Sequence, residues 1–182
     1  LANMTLDGIE RLLMAKFPMM KVHFIRYADD FLVTAPTKEI AEEARDIIQE
    51  FLAGRGLELS MEKTVITHID EGFDFLGYSF RKYRGKLLIK PSKKSIESIM
   101  SKIRVTVKKA RAWTQDALIK ALNPITRGWA NYHRHIVAKE TFGKLDSYIW
   151  TEAWRWGKYR HPNKGHKWIA KRYWKSEGSR KW

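Results

Sequence analysis

Residues 22–27 (VHFIRY) and 31–35 (FLVTA) are two short runs rich in Val, Ile, Phe and Tyr, and only Ala28, Asp29 and Asp30 separate them. Aromatic and β-branched residues favour extended backbone. Three residues leave no room for a crossover, so the stretch reads as strand, tight turn and antiparallel strand. Asp suits the turn because it tolerates turn geometry and bonds to nearby backbone N–H groups. The flanking runs are apolar enough to read as buried strand. Two adjacent carboxylates between them are electrostatically costly, since each opposes ionisation of the other. A divalent cation removes that cost. Carboxylate oxygens suit Mg²⁺, which keeps waters and substrate phosphates in its shell. Nucleotidyl transfer uses two such ions about 3.5–4 Å apart, clamping the attacking and leaving oxygens. A hairpin tip would place Asp29 and Asp30 at the rim of a sheet, where a primer end could reach them. The competing reading is an ordinary acidic turn.

The flanking elements follow from periodicity. Leu6, Ile9, Leu13 and Phe17 predict a helix over 4–17, stopped by Pro18. The stretch PTKEIAEEARDIIQEFLAGRG predicts a second helix capped by Thr37, with Glu39, Glu42 and Glu43 complementing its dipole. Ile40, Ala44, Ile47, Ile48 and Phe51 form its inward stripe, and Gly54 and Gly56 supply the stop. LELSMEKTVITHI predicts a turn and then a strand; FDFLGYSFRKYRGKLLIKP predicts a hairpin with Arg84-Gly85 near its tip. After Pro91 the pattern turns helical. Ile96, Ile99, Ile103 and Val107 mark one amphipathic helix, and a second is expected over about 114–122. A third is expected to start at Asn123, with Pro124 in its first turn, and KETFGKLDSYIWTEAWRWGKYRH a fourth. HPNKGHKWIAKRYWKSEGSRKW is a basic, aromatic tail.

Charge separates the two halves. Residues 1–90 carry 13 Lys+Arg against 14 Asp+Glu, whereas 91–182 carry 22 against 6, so the net +15 resides in the second half. All eight tryptophans lie there too, from Trp113 onward. Phosphate neutralisation together with base stacking accounts for that mixture better than a merely solvated face. Lys93, Lys94, Lys108, Lys109, Arg111, Arg127 and Arg134 are the candidate RNA contacts. Trp129 and Tyr132, three apart on one helix, read as core. His133, His135, His161 and His166 fit no zinc-ligand spacing. The chain holds no cysteine, hence no disulfide, which fits a reducing compartment. No apolar run approaches the roughly 20 residues of a membrane span.

YADD resembles the active-site motif of reverse transcriptases, and the order of the later segments is similar to that family's palm. GLELSMEKTVI resembles the next block, FLGYSF the primer-grip hairpin, and LANMTLDGIE the helix that follows the family's Pro-Gln-Gly block. RGWANYHRHI and LDSYIWTEAWRWGKYRHPNKGHKW resemble the thumb and maturase-specific region of group II intron-encoded proteins. The resemblance implies an α+β fold: the distal half of a polymerase palm, an antiparallel sheet with helices, followed by an all-helical thumb. It implies a distal palm at 1–90, a thumb at 91–138 and a maturase-specific region at 139–182. Asp29 and Asp30 match the catalytic metal-binding pair, Asp29 the more stringent ligand. Tyr27 and Ala28 match the positions beside primer terminus and nucleotide. Lys63 matches a lysine that contacts nucleotide phosphates, against which stands a surface lysine. Phe75, Leu76 and Gly77 match the primer grip, against which stands a core hairpin.

The implied activity is RNA-directed DNA synthesis with two Mg²⁺ ions, joined to intron RNA binding that assists splicing and supports mobility. The implied partners are intron RNA, an RNA/DNA primer–template and dNTPs; the implied setting is bacterial cytoplasm or an organelle. The family's third carboxylate, fingers and Pro-Gln-Gly block are absent from the sequence. The expectation is therefore a piece of a longer protein, or half of a split one, inactive until its fingers and proximal palm join in cis or as a separate chain. Two rivals are a non-enzymatic RNA-binding maturase and a retron, diversity-generating or CRISPR-associated reverse transcriptase. Intact YADD weighs against the first and RGWANY against the second.

Overall fold

The computed structural model describes residues 6–60 and 62–174. Expectations for residues 1–5, for Met61 and for the end of the basic tail, 175–182, fall outside the described residues. The fold is mixed α+β, with six helices and two small antiparallel sheets among the described residues, and it divides after Phe75 into two compact units.

The first unit holds α1 (Ile9–Lys16), β1 (His23–Tyr27), β2 (Asp30–Thr34), α2 (Lys38–Ala53) and β3 (Phe73–Phe75). Leu6, Ile9, Leu13 and Phe17 are all buried, against Ala44, Ile48 and Leu52 of α2. The helix begins at Ile9, several residues later than the periodicity predicts. Gly8, its cap, sits at φ 99, where a Cβ would lie 3.4 Å from the Phe51 ring. On α2, Thr37 accepts the Ile40 amide as expected. Leu52 joins the core, and Ile40, Ile47 and Phe51 pack at its margin. Gly54 stays right-handed (φ −62); the reversal falls on Gly56 (φ 71), letting the Leu57 amide reach Leu52 O at 3.0 Å.

Strands β1 and β2 pair antiparallel from His23↔Thr34 to Tyr27↔Asp30. They are not the buried strands their composition suggests. Phe24, Phe31 and Val33 lean on the helical core, while Ile25 is 48% and Tyr27 64% exposed. A two-stranded ribbon packed on helices along one face buries only alternate residues. The strand expected within LELSMEKTVITHI is absent among the described residues. Local turns form instead: Lys63 and Thr64 donate to Ser60 O at 3.0 and 2.9 Å, and just past the stretch Glu71 and Gly72 donate to His68 O at 3.0 and 3.2 Å.

The second unit opens with the predicted hairpin, β4 (Tyr78–Tyr83) and β5 (Lys86–Pro91). Arg84 (φ 46) and Gly85 (φ 81) form its tip, both left-handed as a two-residue turn of matching twist requires. Helix α3 (Lys93–Lys109) runs into a 3₁₀ turn (Ala110–Ala112), then α4 (Gln115–His133), α5 (Lys139–Arg160) and α6 (His166–Tyr173) follow. One core unites α3, α4 and α5: Ile99, Ile103, Val107, Leu118, Leu122, Leu145 and Trp156.

Helix α4 corrects the sequence reading. It is one helix, capped by Thr114, which accepts the Ala117 amide at 3.3 Å, and not two helices with Asn123 as cap. Pro124 lies inside it, an arrangement that costs about 3 kcal/mol. The apolar stripe Leu118–Leu122–Ile125–Trp129 crosses the proline without interruption, and its burial against α3 outweighs that cost. Within α5, Gly157 permits close approach of α6: a Cβ there would stand 3.1 Å from Cγ2 of the fully buried Ile169.

Candidate functional site

Asp29 and Asp30 occupy the hairpin tip. Ala28 and Asp29 are the two turn residues, and Asp30 begins β2 opposite Tyr27. All four residues from Tyr27 to Asp30 are exposed. Ala28 has φ 55 and Asp29 does not share the left-handed region, the pattern of a turn whose first central position glycine usually fills. A left-handed alanine costs about 1 kcal/mol. The tip thus offers two neighbouring carboxylates to solvent on a strained, two-residue support. No hydrogen bond or ion pair among the described residues engages either carboxylate. Hard oxygen donors of this kind fit Mg²⁺. Among the described residues, no group of three or more His, Cys, Asp or Glu comes together as a metal site. Lys63 is exposed in the turn after Ser60 of the same unit.

Phe75 ends the first unit, and Leu76 and Gly77 open the second with two left-handed residues, φ 49 and φ 79. The second unit grips this turn. Tyr132 on α4 donates its hydroxyl to Leu76 O at 2.7 Å, and the Ser92 amide donates to Gly77 O at 2.9 Å. The Tyr132 ring stacks on Tyr78 at 4.9 Å, and the Tyr78 hydroxyl donates to Tyr132 O at 2.8 Å. Burial, with the Tyr132 hydrogen bond, pushes the Tyr78 phenol up to about 12. Behind this pair, Trp129 Nε1 donates to Ser95 Oγ at 3.0 Å, and His133 Nε2 meets the same oxygen at 3.1 Å. His133 is fully buried, and desolvation, then His135, holds its imidazole below the usual range.

This knot went unread in the sequence. Of the two residues expected in the core, Trp129 is half-buried against its margin, but Tyr132 is 48% exposed and works as a clamp. The available signal was the density of Trp, Tyr and His in RGWANYH, which exceeds what a helix stripe needs. Three further histidines of this half also meet aromatics: His135 packs on Tyr78, His166 on Trp154, and His161 Nε2 lies 2.7 Å from the Tyr173 hydroxyl.

All seven basic candidates are exposed, but they do not form one cluster. Lys93 and Lys94 start α3, whereas Lys108 and Lys109 end it, roughly 22 Å away at 1.5 Å per residue. Ser95 meets Trp129 and His133, so α4 runs back along α3 and brings Arg134 to the Lys93 end. Arg111 lies at the other end, its guanidinium 4.4 Å over the Tyr159 ring. Arg127 lies two turns before the α4 terminus.

The family model "Reverse transcriptase (RNA-dependent DNA polymerase)" matches residues 1–80, and "Group II intron, maturase-specific domain" matches 96–174. The group II intron-encoded protein LtrA of Lactococcus lactis subsp. cremoris is 28% identical over 123 residues, 65% of this chain and 20% of the relative. Maturase-like protein 1 of Euglena longa is 28% identical over 140 residues, 74% of this chain and 28% of the relative. Protein YkfC of Escherichia coli K12 is 37% identical over 70 residues, 36% of this chain and 18% of the relative. The chain therefore spans between about a fifth and a little over a quarter of the length of these relatives.

Proposed function

Because the chain belongs to the group II intron reverse transcriptase/maturase family, we propose that it carries the paired catalytic carboxylates and the helical RNA-binding part of an RNA-directed DNA polymerase that also assists intron splicing. The observation that carries this reading is the exposed Asp29–Asp30 pair at a strained two-residue tip. Asp29 and Asp30 would hold Mg²⁺, which supplies charge stabilisation for the attacking and leaving oxygens. Waters, nucleotide phosphate oxygens and a carboxylate from the remainder of the palm would complete its shell, so the isolated chain does not extend primers. Tyr27 and Ala28 flank the primer terminus and the nucleotide, Lys63 faces the nucleotide phosphates, and Phe75, Leu76 and Gly77 contact the primer strand. The functional divisions are 1–90 for the distal palm, 91–138 for the thumb and 139–182 for the maturase-specific region. The exposed basic residues of α3 and α4 neutralise RNA phosphates. Among the described residues no helix is long and apolar enough to cross a membrane.

The test uses the chain completed by the rest of its palm, with primer extension on an RNA template. Asp29→Asn and Asp30→Asn should each lower cDNA synthesis by about three orders of magnitude or more, the scale of several kcal/mol of barrier. RNA affinity and the unfolding midpoint should stay put, because neither side chain is buried. Retained synthesis would remove the pair from the metal site, and unfolding of either variant would make the pair structural.

A further inference from the structure

We propose that Tyr132 is a positioning residue for the primer strand: from α4 it holds the Leu76–Gly77 turn in the conformation that meets the primer. This rests on the reading of Phe75, Leu76 and Gly77 as primer contacts, and it adds to that reading the side chain that sets the turn's geometry. Leucine at φ 49 is disfavoured, so the turn needs support from outside itself. Both of its carbonyls are tied down. The one on Gly77 goes to the Ser92 amide at the start of α3, and the one on Leu76 goes to the Tyr132 hydroxyl. The first tie is backbone and survives most substitutions. The second depends on one phenolic oxygen.

The ring that carries that oxygen is placed with care. It stacks on Tyr78 at 4.9 Å, its own carbonyl accepts the Tyr78 hydroxyl, and His133 meets it edge-on at 4.9 Å. Yet the residue is 48% exposed, so packing the core does not explain it. A Cβ on Gly77 would stand 3.8 Å from Tyr132 Cε1 and 3.7 Å from Ser95 Oγ, ordinary contact distances, so the turn lies directly on these side chains. Sequence separations of 54 and 56 residues span the two hydroxyl bonds. The geometry of the turn is thus set by a helix in the region that the maturase-specific family model covers.

The experiment is steady-state primer extension by the completed protein, varying primer–template, with Tyr132→Phe, Tyr78→Phe and Gly77→Ala. Tyr132→Phe removes one oxygen and keeps the ring. It should raise the KM for primer–template up to about tenfold, the worth of one net hydrogen bond. kcat at saturating primer, intron RNA affinity and the thermal midpoint should change little. Tyr78→Phe, which releases the brace on Tyr132, should move KM the same way. If Gly77→Ala weakens primer use while both tyrosine variants leave KM unchanged, the positioning role is wrong and the primer-contact reading stands. If Gly77→Ala folds and leaves primer use unchanged, the primer-contact reading fails and this inference with it. Loss of folding in Tyr132→Phe, or equal losses in KM, kcat and RNA affinity, would make Tyr132 a structural residue and overturn the proposal.

Discussion

Trp156→Phe tests whether a single buried indole holds α5 to the 3₁₀ turn in the helical unit. Trp156 is 4% exposed, and its Nε1 donates to Ala110 O at 2.7 Å, inside the core shared by α3, α4 and α5. Ala110 is itself fully buried, so phenylalanine leaves its carbonyl without that donor. That carbonyl keeps the Trp113 amide at 2.9 Å, so the loss is one net hydrogen bond, about 0.5–1.5 kcal/mol. The lost part of the indole leaves a small cavity worth roughly another 1 kcal/mol. The sum, about 1.5–2.5 kcal/mol, should lower the midpoint of the helical unit by about 6 °C or more, at 4–8 °C per kcal/mol for a unit of this size. Thermal unfolding followed by far-UV circular dichroism measures it. Trp150→Phe is the control: Trp150 is 46% exposed and stacked on Trp154, and its replacement should cost under about 1 kcal/mol. A shift below about 2 °C for Trp156→Phe, or equal shifts for both, would refute the assignment of Trp156 as the buried link between α5 and the 3₁₀ turn. Neither variant removes a charge. Well below the transition, both should therefore bind RNA as tightly as the parent chain.

Affinity for a structured RNA should fall linearly with salt on logarithmic axes, by about 0.7–0.9 in slope per phosphate neutralised. Charge reversal at Lys108, Lys109 and Arg111 should weaken binding to unrelated sequences alike, and a salt-independent affinity would contradict phosphate recognition. His133 yields a pH signature. Its folded pKa is depressed below the usual 6.5, so the unfolded chain binds the proton more readily. Stability should be fully present above that value, decline as pH falls towards the folded pKa and level off below it. His133→Gln should flatten the decline in a series of denaturant midpoints, and an unchanged decline would assign it to another group.

What could be read from the sequence was what neighbours in sequence decide. The hairpin was legible because two β-prone runs three residues apart have one way to pair, and observed pairing begins at Tyr27↔Asp30. Thr37 was legible because a cap needs only the amide three residues on. The errors have a common source. Pro124 looks like a helix start by local rules, yet the stripe through Leu122 and Ile125 continues past it because α3 lies alongside. The later part of LELSMEKTVITHI looks like strand, yet a strand exists only where a neighbour accepts its ladder, and none does so among the described residues. The candidate site contains both kinds of information. Asp29 sits in the two-residue turn and Asp30 at the first strand position beside it, so their exposure follows from spacing alone. Leu76 sits in a left-handed conformation that nothing in FLGYSF demands of a leucine. Its carbonyl accepts the hydroxyl of a tyrosine 56 residues away, and no local pattern encodes the meeting. An arrangement of adjacent groups is therefore the part a sequence states outright. Chemistry that relies on support from a distant helix has to be found in the fold.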